Sequence, residues 1–578
     1  MTFTFARTGP APVPSRAQEF RVRMRDGVRL ATDVYLPDHG DRHRGEHGDA
    51  HVPAVLVRLP YDKNSRYVYF DEVAARFTAC GYAVVVQDVR GKFRSEGPTV
   101  PFLREPDDGY DTIDWIVRQP WSDGLVGMFG DSYYGFTQWA AVASQHPALR
   151  AIVPRVTTVD FNATAQNTAP VGRPVWLEGI EYFAHYWVDQ GVYDYEPDRA
   201  VRPVIDQFEE AFRAIGARST WFDLLAPRFT DLFPARGLHP FDARPVPVLH
   251  CVGWFDNIVT PHMGDYMELA ARPGWDAVQY LWAGAIDHEN YRLADAPATE
   301  ETDHATNPAA LARMLPDYVD PAVEFFDVFL KGTRRVSELP KARWELGHAG
   351  WRTSTSWPPP EAVERTFWLD ALDGLDGIDG LKLDGSAAPP GGAAAQWTYD
   401  PEDLVPSLVP NSFAQLQSYP DLAPLTTRDD VLTFTGPALA APLDLAGPLA
   451  LDLHVTSSAP VFDVFVKLLD LGPDGQAHPI ARGEVCVRAD AAPDDVRVDL
   501  GHTGYRLRPG HRLALLLASS DYPMYLPASG SDENPWTTVA AKPSTQTLHT
   551  GGALPSRLVL TVLPAPDAQH SPTPHAQH

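Results

Sequence analysis

Basic residues are in short supply in this chain of 578 residues. Lysine and arginine number 48 against 75 aspartates and glutamates, which gives a formal net charge of −27. A surface of that sign repels the phosphate backbone of nucleic acids and the anionic headgroups of membranes. We therefore expect neither a nucleic acid nor a membrane surface among the partners.

Cysteine is scarcer still, with three residues far apart in the chain: Cys80, Cys251 and Cys486. The apolar neighbours of Cys80 and Cys251 favour small buried thiols. The sequence also lacks any run that approaches the ~18 apolar residues of a membrane span. Its opening segment, "MTFTFARTGPAPVPSRAQEF", lacks the apolar core of a signal peptide. These absences predict a cytoplasmic protein.

The length and composition predict a globular protein of two or three domains, since a single domain rarely exceeds about 250 residues. Hydrophobic residues make up 44% of the chain and aromatic residues 11%, which is ample for packed cores. The 55 prolines are nearly twice the usual share of about 5%. This excess favours loops and sheet edges over a helical bundle.

The N-terminal part of the sequence alternates strands and helices. "FRVRMRDGVRLATDVYLP" predicts a hairpin around Asp26-Gly27. Two buried strands follow, "AVLVRLPY" and "YAVVVQDVRG", and then the helical stretch "DDGYDTIDWIVRQP". Such alternation predicts a parallel sheet with helices on both faces. The histidine-rich stretch 39–51 between the first strands lacks the regular spacing of a metal site, so we interpret it as a solvated loop.

The middle of the chain interrupts this pattern. Residues 161–244 contain aromatic-rich amphipathic segments of helical spacing, with no strand between them. Strands return with "VPVLHCVGWFD" and "AVQYLWAG". We therefore predict a catalytic α/β domain formed by residues 1–160 and 245–355, with 161–244 inserted into it as a helical cap.

The last part of the chain has a different character. Residues 356–565 begin with a loop-rich stretch of low complexity, and from Val431 onward short alternating strands are separated by regular turns. This pattern predicts a β-sandwich of the jelly-roll type for residues 356–565. The final stretch, 566–578, is polar and is predicted to be disordered.

The segment "GMFGDSYYGFTQWAAV" holds a serine, Ser132, between Gly130 and Gly135, where a predicted strand turns abruptly into a helix. This is the context of a nucleophile elbow, in which the hydroxyl is exposed at a helix N-terminus. The spacing is G-x-S-x-x-G rather than G-x-S-x-G, so a helix-capping serine stays open as an alternative.

A nucleophilic serine needs a base and an orienting acid. Asp256 ends the predicted strand "VLHCVGWFD", and His288 follows "YLWAGAIDH". Their chain order, Ser, Asp, His, is that of α/β-hydrolases. Asp287 is closer to His288 in sequence, but neighbouring side chains of an extended chain point apart, which makes it a poor orienting acid.

The segments "GYDTIDWIVRQPWSDGLVGMFGDSYYGFTQW", "RLPYDK", "QDVRGKFRSEG", "VGWFDN", "FFDVFLKG" and "RPGHRLALLLASSDYP" resemble landmarks of the CocE/NonD hydrolases, the superfamily of cocaine esterase and the Xaa-Pro dipeptidyl-peptidases. The resemblance spans nearly the whole chain. It implies an α/β-hydrolase fold with an inserted helical cap and a C-terminal jelly roll. It also implies no metal or organic cofactor and, by analogy, a homodimer.

The resemblance further implies roles for individual residues. Ser132 would be the nucleophile, His288 the general base and then acid, and Asp256 the orienting carboxylate. The backbone N–H of Tyr133 and the phenol of Tyr61 would form the oxyanion hole. A packed aromatic at a strand end is the alternative for Tyr61.

Two positions next to these residues raise questions. The histidine loop reads "GAIDH", with Ile286 where the family commonly has tryptophan, which puts the packing beside the base in doubt. Asp131 places a negative charge next to the nucleophile. It would either point to solvent or disfavour anionic substrates.

The elbow predicts acyl transfer on a small-molecule ester or amide. An Xaa-Pro dipeptidyl-peptidase or acylase is the rival, since Glu178 and Glu181 of the predicted cap could hold a substrate amine. No acid follows closely after Asp256, which argues against α-amino-acid esters. The aromatic residues of the cap would suit a bulky acyl group, although most fit helix packing: Trp176, Tyr182, Phe183, Tyr186 and Trp187. A non-catalytic binding protein that keeps the fold is a further alternative.

Overall fold

The computed structural model describes residues 5–38, 51–159, 169–225, 237–370, 381–382, 388–490 and 495–564. The histidine-rich stretch 39–51, apart from His51, and the C-terminal stretch 566–578 lie outside the described residues. Their predicted loop and disorder therefore stay predictions.

The strands up to Ser354 include those of the predicted parallel sheet. They are β1 (Phe5–Thr8), β2 (Gln18–Arg23), β3 (Arg29–Tyr35), β4 (Val52–Leu59), β5 (Ala83–Asp88), β6 (Ser122–Asp131), β7 (Leu149–Arg155), β8 (Val171–Gly172), β9 (Val192–Tyr195), β10 (Val248–Gly253), β11 (Gln279–Gly284), β12 (Ala342–Leu346) and β13 (Gly350–Ser354).

The helices alternate with these strands. They are α1 (Phe70–Ala79), α2 (Glu105–Ile116), α3 (Ser132–Ser144), α4 (Leu177–Tyr186), α5 (Ile205–Ile215), α6 (Thr220–Leu225), α7 (Val259–Ala271), α8 (Pro308–Phe329) and α9 (Gln415–Ser418).

Ten of the strands form one mixed sheet in the order β13-β12-β11-β10-β7-β6-β4-β5-β3-β2. The seven strands from β12 to β5 run parallel, and the outer strands β13, β3 and β2 pair antiparallel. The predicted hairpin around Asp26-Gly27 is the β2–β3 pair, and Gly27 supplies its positive φ of 91°. The predicted α/β sheet is confirmed.

The central strands are buried on both faces, as their continuous apolar sequences require. In β4, Val55 and Val57 pack in the cluster that includes α1 and α8. The alternate residues Ala54 and Leu56 pack in the cluster that includes α2, α3 and α7. Each fully buried valine or leucine contributes about 1.5–3 kcal/mol. The sheet therefore lies between two apolar layers.

The described part of the segment between β7 and β10 contains the helices α4, α5 and α6, and it also contains two short strands. β9 pairs antiparallel with β1, and β8 pairs antiparallel with Cys486 and Val487 of the C-terminal half. The prediction that no strand occurs here was wrong. Strands of two and four residues are too short to show an alternating pattern, and their pairing depends on distant partners.

The strands after residue 360 form two facing antiparallel sheets. They are β14 (Val363–Leu369), β15 (Leu381–Lys382), β16 (Ala393–Tyr399), β17 (Leu432–Thr435), β18 (Leu443–Ser457), β19 (Val461–Leu471), β20 (Ala477–Arg488), β21 (Val496–Leu507), β22 (Arg512–Ala518), β23 (Ser544–Thr550) and β24 (Arg557–Val562). One sheet is β15-β14-β24-β18-β23-β16 with β21 on β18, and the other is β17-β22-β19-β20-β8. Residues of both sheets share one apolar core, as in the predicted β-sandwich.

The cysteines are partly as predicted. Cys251 in β10 and Cys486 in β20 are buried, but Cys80 is exposed. Cys80 follows the last turn of α1, where the chain turns away at Gly81 with a φ of 81°. The apolar neighbours that predicted its burial belong to the helix before it. Among the described residues, no helix combines the length and apolarity that crossing a membrane would take.

Candidate active site

The turn between β6 and α3 holds Ser132 in a strained conformation. Ser132 is the first residue of α3 and has a φ of 50°, in the left-handed region that serine rarely adopts. Asp131, not Ser132, is the N-cap residue of this helix, and it makes no side-chain capping hydrogen bond. The structure thus assigns the N-cap position of α3 to Asp131, the residue before the serine.

Two glycines make this turn possible. A Cβ on Gly130 would lie 1.9 Å from the Tyr134 ring, and Gly130 has a φ of 143°. A Cβ on Gly135 would lie 2.4 Å from Cγ2 of Thr157. Neither position has room for a side chain, so the elbow depends on both glycines.

Tyr61 reaches the elbow from the end of β4. Burial raises the pKa of its phenol to about 12, although the nearby hydroxyls of Ser132 and Tyr182 and the backbone N–H of Tyr133 lower it. The phenol is therefore a protonated donor at neutral pH. The two predicted oxyanion donors, the Tyr61 hydroxyl and the Tyr133 N–H, meet beside Ser132.

His288 and Asp256 form the second part of the site. His288 Nδ1 and Asp256 Oδ1 are 2.8 Å apart, and both residues are buried. The backbone N–H of Ile258 donates to the same oxygen at 3.2 Å. Burial by itself would lower the pKa of His288, but the Asp256 carboxylate outweighs it and raises that pKa above its usual value. Asp256 thus orients the imidazole and stabilises its protonated form.

Ser132 and His288 line the same cavity. Among the contacts of the described residues, no hydrogen bond joins the Ser132 hydroxyl to His288. Catalytic hydrogen bonds are often long in enzymes without substrate and shorten when substrate binds. The structure therefore brings all five predicted residues to one place, with the serine–histidine contact not closed.

The rest of the histidine loop is well anchored. The Asp287 carboxylate accepts hydrogen bonds from the backbone N–H groups of Glu289, Tyr291 and Leu416 at 2.9–3.1 Å. None of these three donors is the imidazole of His288. Ile286 is buried, and its carbonyl accepts from the N–H of Phe255 at 3.0 Å. The Ile286 side chain thus belongs to the large apolar cluster that also contains Tyr61 and Trp282.

Asp131 neither points to solvent nor leaves a free charge beside the nucleophile. It is buried, and Arg155 Nε donates to its Oδ1 at 2.9 Å. Asn290 Nδ2 donates to its Oδ2 at 3.0 Å. Sequence reasoning missed Arg155 and Asn290. A basic residue at the end of the buried strand beside the elbow strand was the one available signal.

The cavity above Ser132 has a volume of about 650 Å³. Four of the five cap aromatics named from the sequence line it, and the fifth, Trp187, packs on Tyr133 instead. Asn411 and Phe413 of the C-terminal half also line it, and the Phe413 ring lies 5.1 Å from that of His288. The aromatic lining suits an apolar acyl group.

Acidic side chains dominate the polar part of this cavity. Among its described lining residues there is no lysine or arginine, whereas five are acidic: Asp62, Asp131, Glu178, Asp194 and Glu289. Glu289 was not singled out from the sequence, although it directly follows the predicted base. Its Oε1 accepts a hydrogen bond from the Tyr67 hydroxyl at 2.7 Å, and burial raises its pKa.

The two glutamates of the predicted cap are already partnered. Glu181 forms a two-pronged ion pair with Arg199. Glu178 accepts from the hydroxyl and the backbone N–H of Ser412. In the described parts of the chain, no three or more His, Cys, Asp or Glu residues are grouped so as to hold a metal ion.

Comparison with known proteins places the chain in a family. The profile of X-Pro dipeptidyl-peptidase (S15 family) matches residues 26–290, and that of the X-Pro dipeptidyl-peptidase C-terminal non-catalytic domain matches residues 334–559. Cocaine esterase from Rhodococcus sp. (strain MB1 Bresler) is 30% identical over 597 residues, covering 95% of this chain and 99% of that esterase.

Two solved structures share the fold over nearly their whole length. An α-amino acid ester hydrolase is 23% identical, with a TM-score of 0.75 and coverage of 96% of this chain and 98% of its own. An aminopeptidase from the marine sediment archaeon Thaumarchaeota archaeon is 22% identical, with a TM-score of 0.75 and coverage of 96% and 99%. The chain therefore belongs to the CocE/NonD family of serine hydrolases, within the superfamily of the S15 X-Pro dipeptidyl-peptidases.

Proposed function

We propose that this protein is a serine esterase that hydrolyses small-molecule carboxylic esters through an acyl-enzyme. In this proposal Ser132 is the nucleophile, His288 the base, Asp256 its orienting acid, and Tyr61 and Tyr133 the oxyanion donors. The observation that carries it is the convergence of the Tyr61 hydroxyl and the Tyr133 N–H beside Ser132, in a cavity shared with the Asp256–His288 pair.

The first half of the reaction forms the acyl-enzyme. His288 Nε2 takes the hydroxyl proton as Ser132 Oγ attacks the ester carbonyl carbon. The carbonyl oxygen becomes an oxyanion, which accepts hydrogen bonds from the Tyr61 hydroxyl and the Tyr133 N–H. The carbon–oxygen bond to the leaving alcohol then breaks, and the imidazolium of His288 gives its proton to that alcohol.

The second half releases the acid. A water molecule gives a proton to His288 and attacks the acyl carbon, the same two donors hold the second oxyanion, and the Ser132 oxygen leaves with the proton from His288. No metal or organic cofactor enters the proposal, because the proton moves between protein side chains and water.

The proposal extends to organisation and location. In the proposal, the catalytic unit is formed by residues 1–160 and 245–355, the cap by 161–244 and the jelly roll by 356–565. The large sheet ends at Ser354, which supports the boundary between 355 and 356. A cytoplasmic location is supported by three cysteines that are all free. The homodimer stays a prediction by analogy.

The partners of the cap glutamates argue against the peptidase rival. A dipeptidyl-peptidase must hold the substrate's N-terminal amine, and Glu178 and Glu181 are both engaged with the protein itself. Hydrolysis of an amide substrate that carries a cationic amine is the second candidate function. Glu289 favours it, because the residue lines the cavity next to His288 and its carboxylate could hold the amine. The binding-protein alternative predicts no turnover at all.

The test compares hydrolysis of 4-nitrophenyl acetate, 4-nitrophenyl butyrate and Gly-Pro-4-nitroanilide by the wild-type protein. We expect ester turnover with little or no anilide cleavage. Preferential anilide cleavage would overturn the esterase in favour of the peptidase. Turnover of none of the three, with no labelling of Ser132 by diisopropyl fluorophosphate in mass spectrometry, would favour the binding protein.

Tyr61→Phe is expected to lower kcat for 4-nitrophenyl butyrate by about 10²- to 10³-fold, because it removes one of two oxyanion donors. KM should change by less than about threefold, since the donor acts mainly on the charged intermediate. The control is Tyr186→Phe, which removes a hydroxyl from a ring whose centroid lies 5.6 Å from that of Tyr61. If Tyr61→Phe kept wild-type kcat, Tyr61 would be a packed aromatic only.

The acidic lining predicts discrimination by substrate charge. At pH 8 the wild type should favour 4-nitrophenyl butyrate over the anionic 4-nitrophenyl hemisuccinate by about tenfold or more in kcat/KM, since the cavity offers the carboxylate no positive partner. Glu289→Gln should lower the ratio of the two kcat/KM values by about threefold or more. Asp194→Asn, at an exposed position of the rim, is the control and should leave the ratio unchanged. An unchanged ratio in Glu289→Gln would exclude Glu289 as the source.

A further inference from the structure

Three buried side chains form a closed ring of hydrogen bonds beneath the elbow. Arg155 Nε donates to Asp131 Oδ1 at 2.9 Å, and Asn290 Nδ2 donates to Asp131 Oδ2 at 3.0 Å. Arg155 Nη2 closes the ring by donating to Asn290 Oδ1 at 2.8 Å. The residues are 1–5% exposed, so water does not compete for these bonds. We call Asp131, Arg155 and Asn290 the Asp131 ring.

The Asp131 ring joins two segments that carry reacting groups. Asp131 is the last residue of β6 and directly precedes Ser132, Arg155 is the last residue of β7, and Asn290 follows His288 by two positions. The ring is therefore a short side-chain connection between the elbow and the histidine loop, along the wall of the cavity that Asp131 and Asn290 help to line.

Helix α8 supports the ring from below. The Tyr318 hydroxyl donates to Asp131 Oδ1 at 3.0 Å. The Tyr318 ring lies 4.3 Å from the guanidinium carbon of Arg155, close enough for a cation–π contact. This packing limits the rotamers of both charged side chains.

Both connected segments are held in left-handed backbone conformations. Ser132 has a φ of 50° and Asn290 a φ of 67°. Such conformations persist at non-glycine residues only where the surroundings hold them. The ring supplies a fixed anchor next to Ser132 and on Asn290 itself.

Stability alone is a weak explanation for this arrangement. Burying two opposite charges has a desolvation cost that often cancels their attraction, and apolar side chains of similar volume would stabilise the fold as well. A charge next to the nucleophile also requires a compensating cation. What an apolar core would not supply is a defined distance between two loops, set by directional bonds.

We propose that the Asp131 ring is a positioning device that sets the distance and orientation between Ser132 and His288. Asn290 is its link to the histidine loop. The three residues act through Ser132 and His288 rather than on the substrate. The proposal rests on the proposed function, since it assigns to those two residues the roles of nucleophile and base.

The charges of the ring also affect the pKa of His288. The acidic groups around His288 are Asp256, Glu289 and Asp131, with Asp287 next to it in the chain, and Arg155 offsets Asp131. Asp131→Asn leaves the Arg155 cation unbalanced, which lowers the pKa of His288 and moves the acid limb of kcat/KM to lower pH. Arg155→Gln leaves the Asp131 charge unbalanced and moves that limb to higher pH. A purely structural ring predicts no such opposite shifts.

The decisive variant is Asn290→Gly, which removes both bonds to the loop while glycine tolerates the positive φ. We expect kcat for 4-nitrophenyl butyrate to fall about 10- to 100-fold with KM within about threefold, as a displacement of about 1 Å would produce. Inactivation by diisopropyl fluorophosphate, which needs Ser132 and His288 but no leaving alcohol, should slow by a similar factor.

An exchange of the acid and the amide tests the ring as a unit. Asp131→Asn leaves two amides beside Arg155 and Asn290→Asp leaves two acids, so each variant should lower kcat. The double variant should recover most of kcat, because it again places one acid and one amide beside the Arg155 cation. Asp444→Asn is the control, since it breaks a two-bond pair with Arg506 in the C-terminal sandwich. It should lower thermal stability and leave kcat unchanged.

The proposal is overturned if Asn290→Gly keeps wild-type kcat, inactivation rate and pH profile and loses only thermal stability. If Asn290→Gly does not fold, Asn290→Ser is measured in its place, with the same two outcomes. A wild-type protein that is labelled by the fluorophosphate but hydrolyses no ester in the panel refutes the esterase proposal. The inactivation rates of the variants would still decide the role of the ring.

Discussion

Ser132→Ala is expected to reduce ester turnover by about 10⁴- to 10⁶-fold, the largest effect of any single substitution in this chain. Without the hydroxyl no acyl-enzyme forms, and the oxyanion donors and the cavity can contribute only a weak residual rate. Alanine has a Cβ as serine does, so it fits the left-handed turn no worse, and the fold should persist. Assays with 4-nitrophenyl butyrate measure the loss of turnover, and circular dichroism measures whether the fold persists.

The matched control lies on the same helix. Ser144 is half-buried at the end of α3, where its hydroxyl donates to the carbonyl of Ala141 at 2.7 Å. Ser144→Ala should retain wild-type activity and its labelling by diisopropyl fluorophosphate. A Ser132→Ala protein that kept a tenth of the wild-type rate would show that another group is the nucleophile.

Asp256→Asn is expected to lower kcat by about 10⁴-fold, or about 5 kcal/mol of transition-state stabilisation. The asparagine amide can donate to Nδ1 of His288, which would leave the proton on Nε2 and the base unable to accept from Ser132. The carboxylate also raises the pKa of His288, so its loss lowers that pKa. A base is inactive below its pKa, so the acid limb of kcat/KM should move to lower pH.

The neighbouring acid offers a sharp comparison. Asp287→Asn makes the same chemical change one residue before the base, but the Asp287 carboxylate serves backbone N–H groups instead of the imidazole. We expect it to lower the melting temperature while the folded protein keeps kcat within about tenfold. Equal losses of kcat in both variants would contradict the assignment of Asp256 as the orienting acid.

Local patterns were sufficient to predict much of this molecule. The strands are continuous apolar runs, the elbow is a glycine-flanked turn between a strand and a helix, and Asp256 and His288 each follow a strand. Parallel strands place their carboxyl ends at one edge of a sheet, so chain order alone brings these residues together. The resemblance to the CocE/NonD hydrolases rested on the sequence segments themselves, such as "RLPYDK", "QDVRGKFRSEG" and "VGWFDN".

Features that depend on distant partners could not be predicted. Asp131 reads as an exposed charge until Arg155, 24 residues later, and Asn290, 159 residues later, are found beside it. The β1–β9 pair is equally invisible, because each strand has four residues and neither is stable without the other. Sequence patterns report which face of an element is apolar, not which distant residue meets it.

The C-terminal half contributes directly to the wall of the cavity beside the base. Phe413 packs against His288, its carbonyl accepts the N–H of Glu289 at 3.1 Å, and the N–H of Leu416 binds Asp287. The wall beside the base is thus built by the catalytic sheet and the C-terminal half together. A recombinant that joined this catalytic half to a relative's sandwich would acquire a foreign wall beside its base, and with it a different choice of ester.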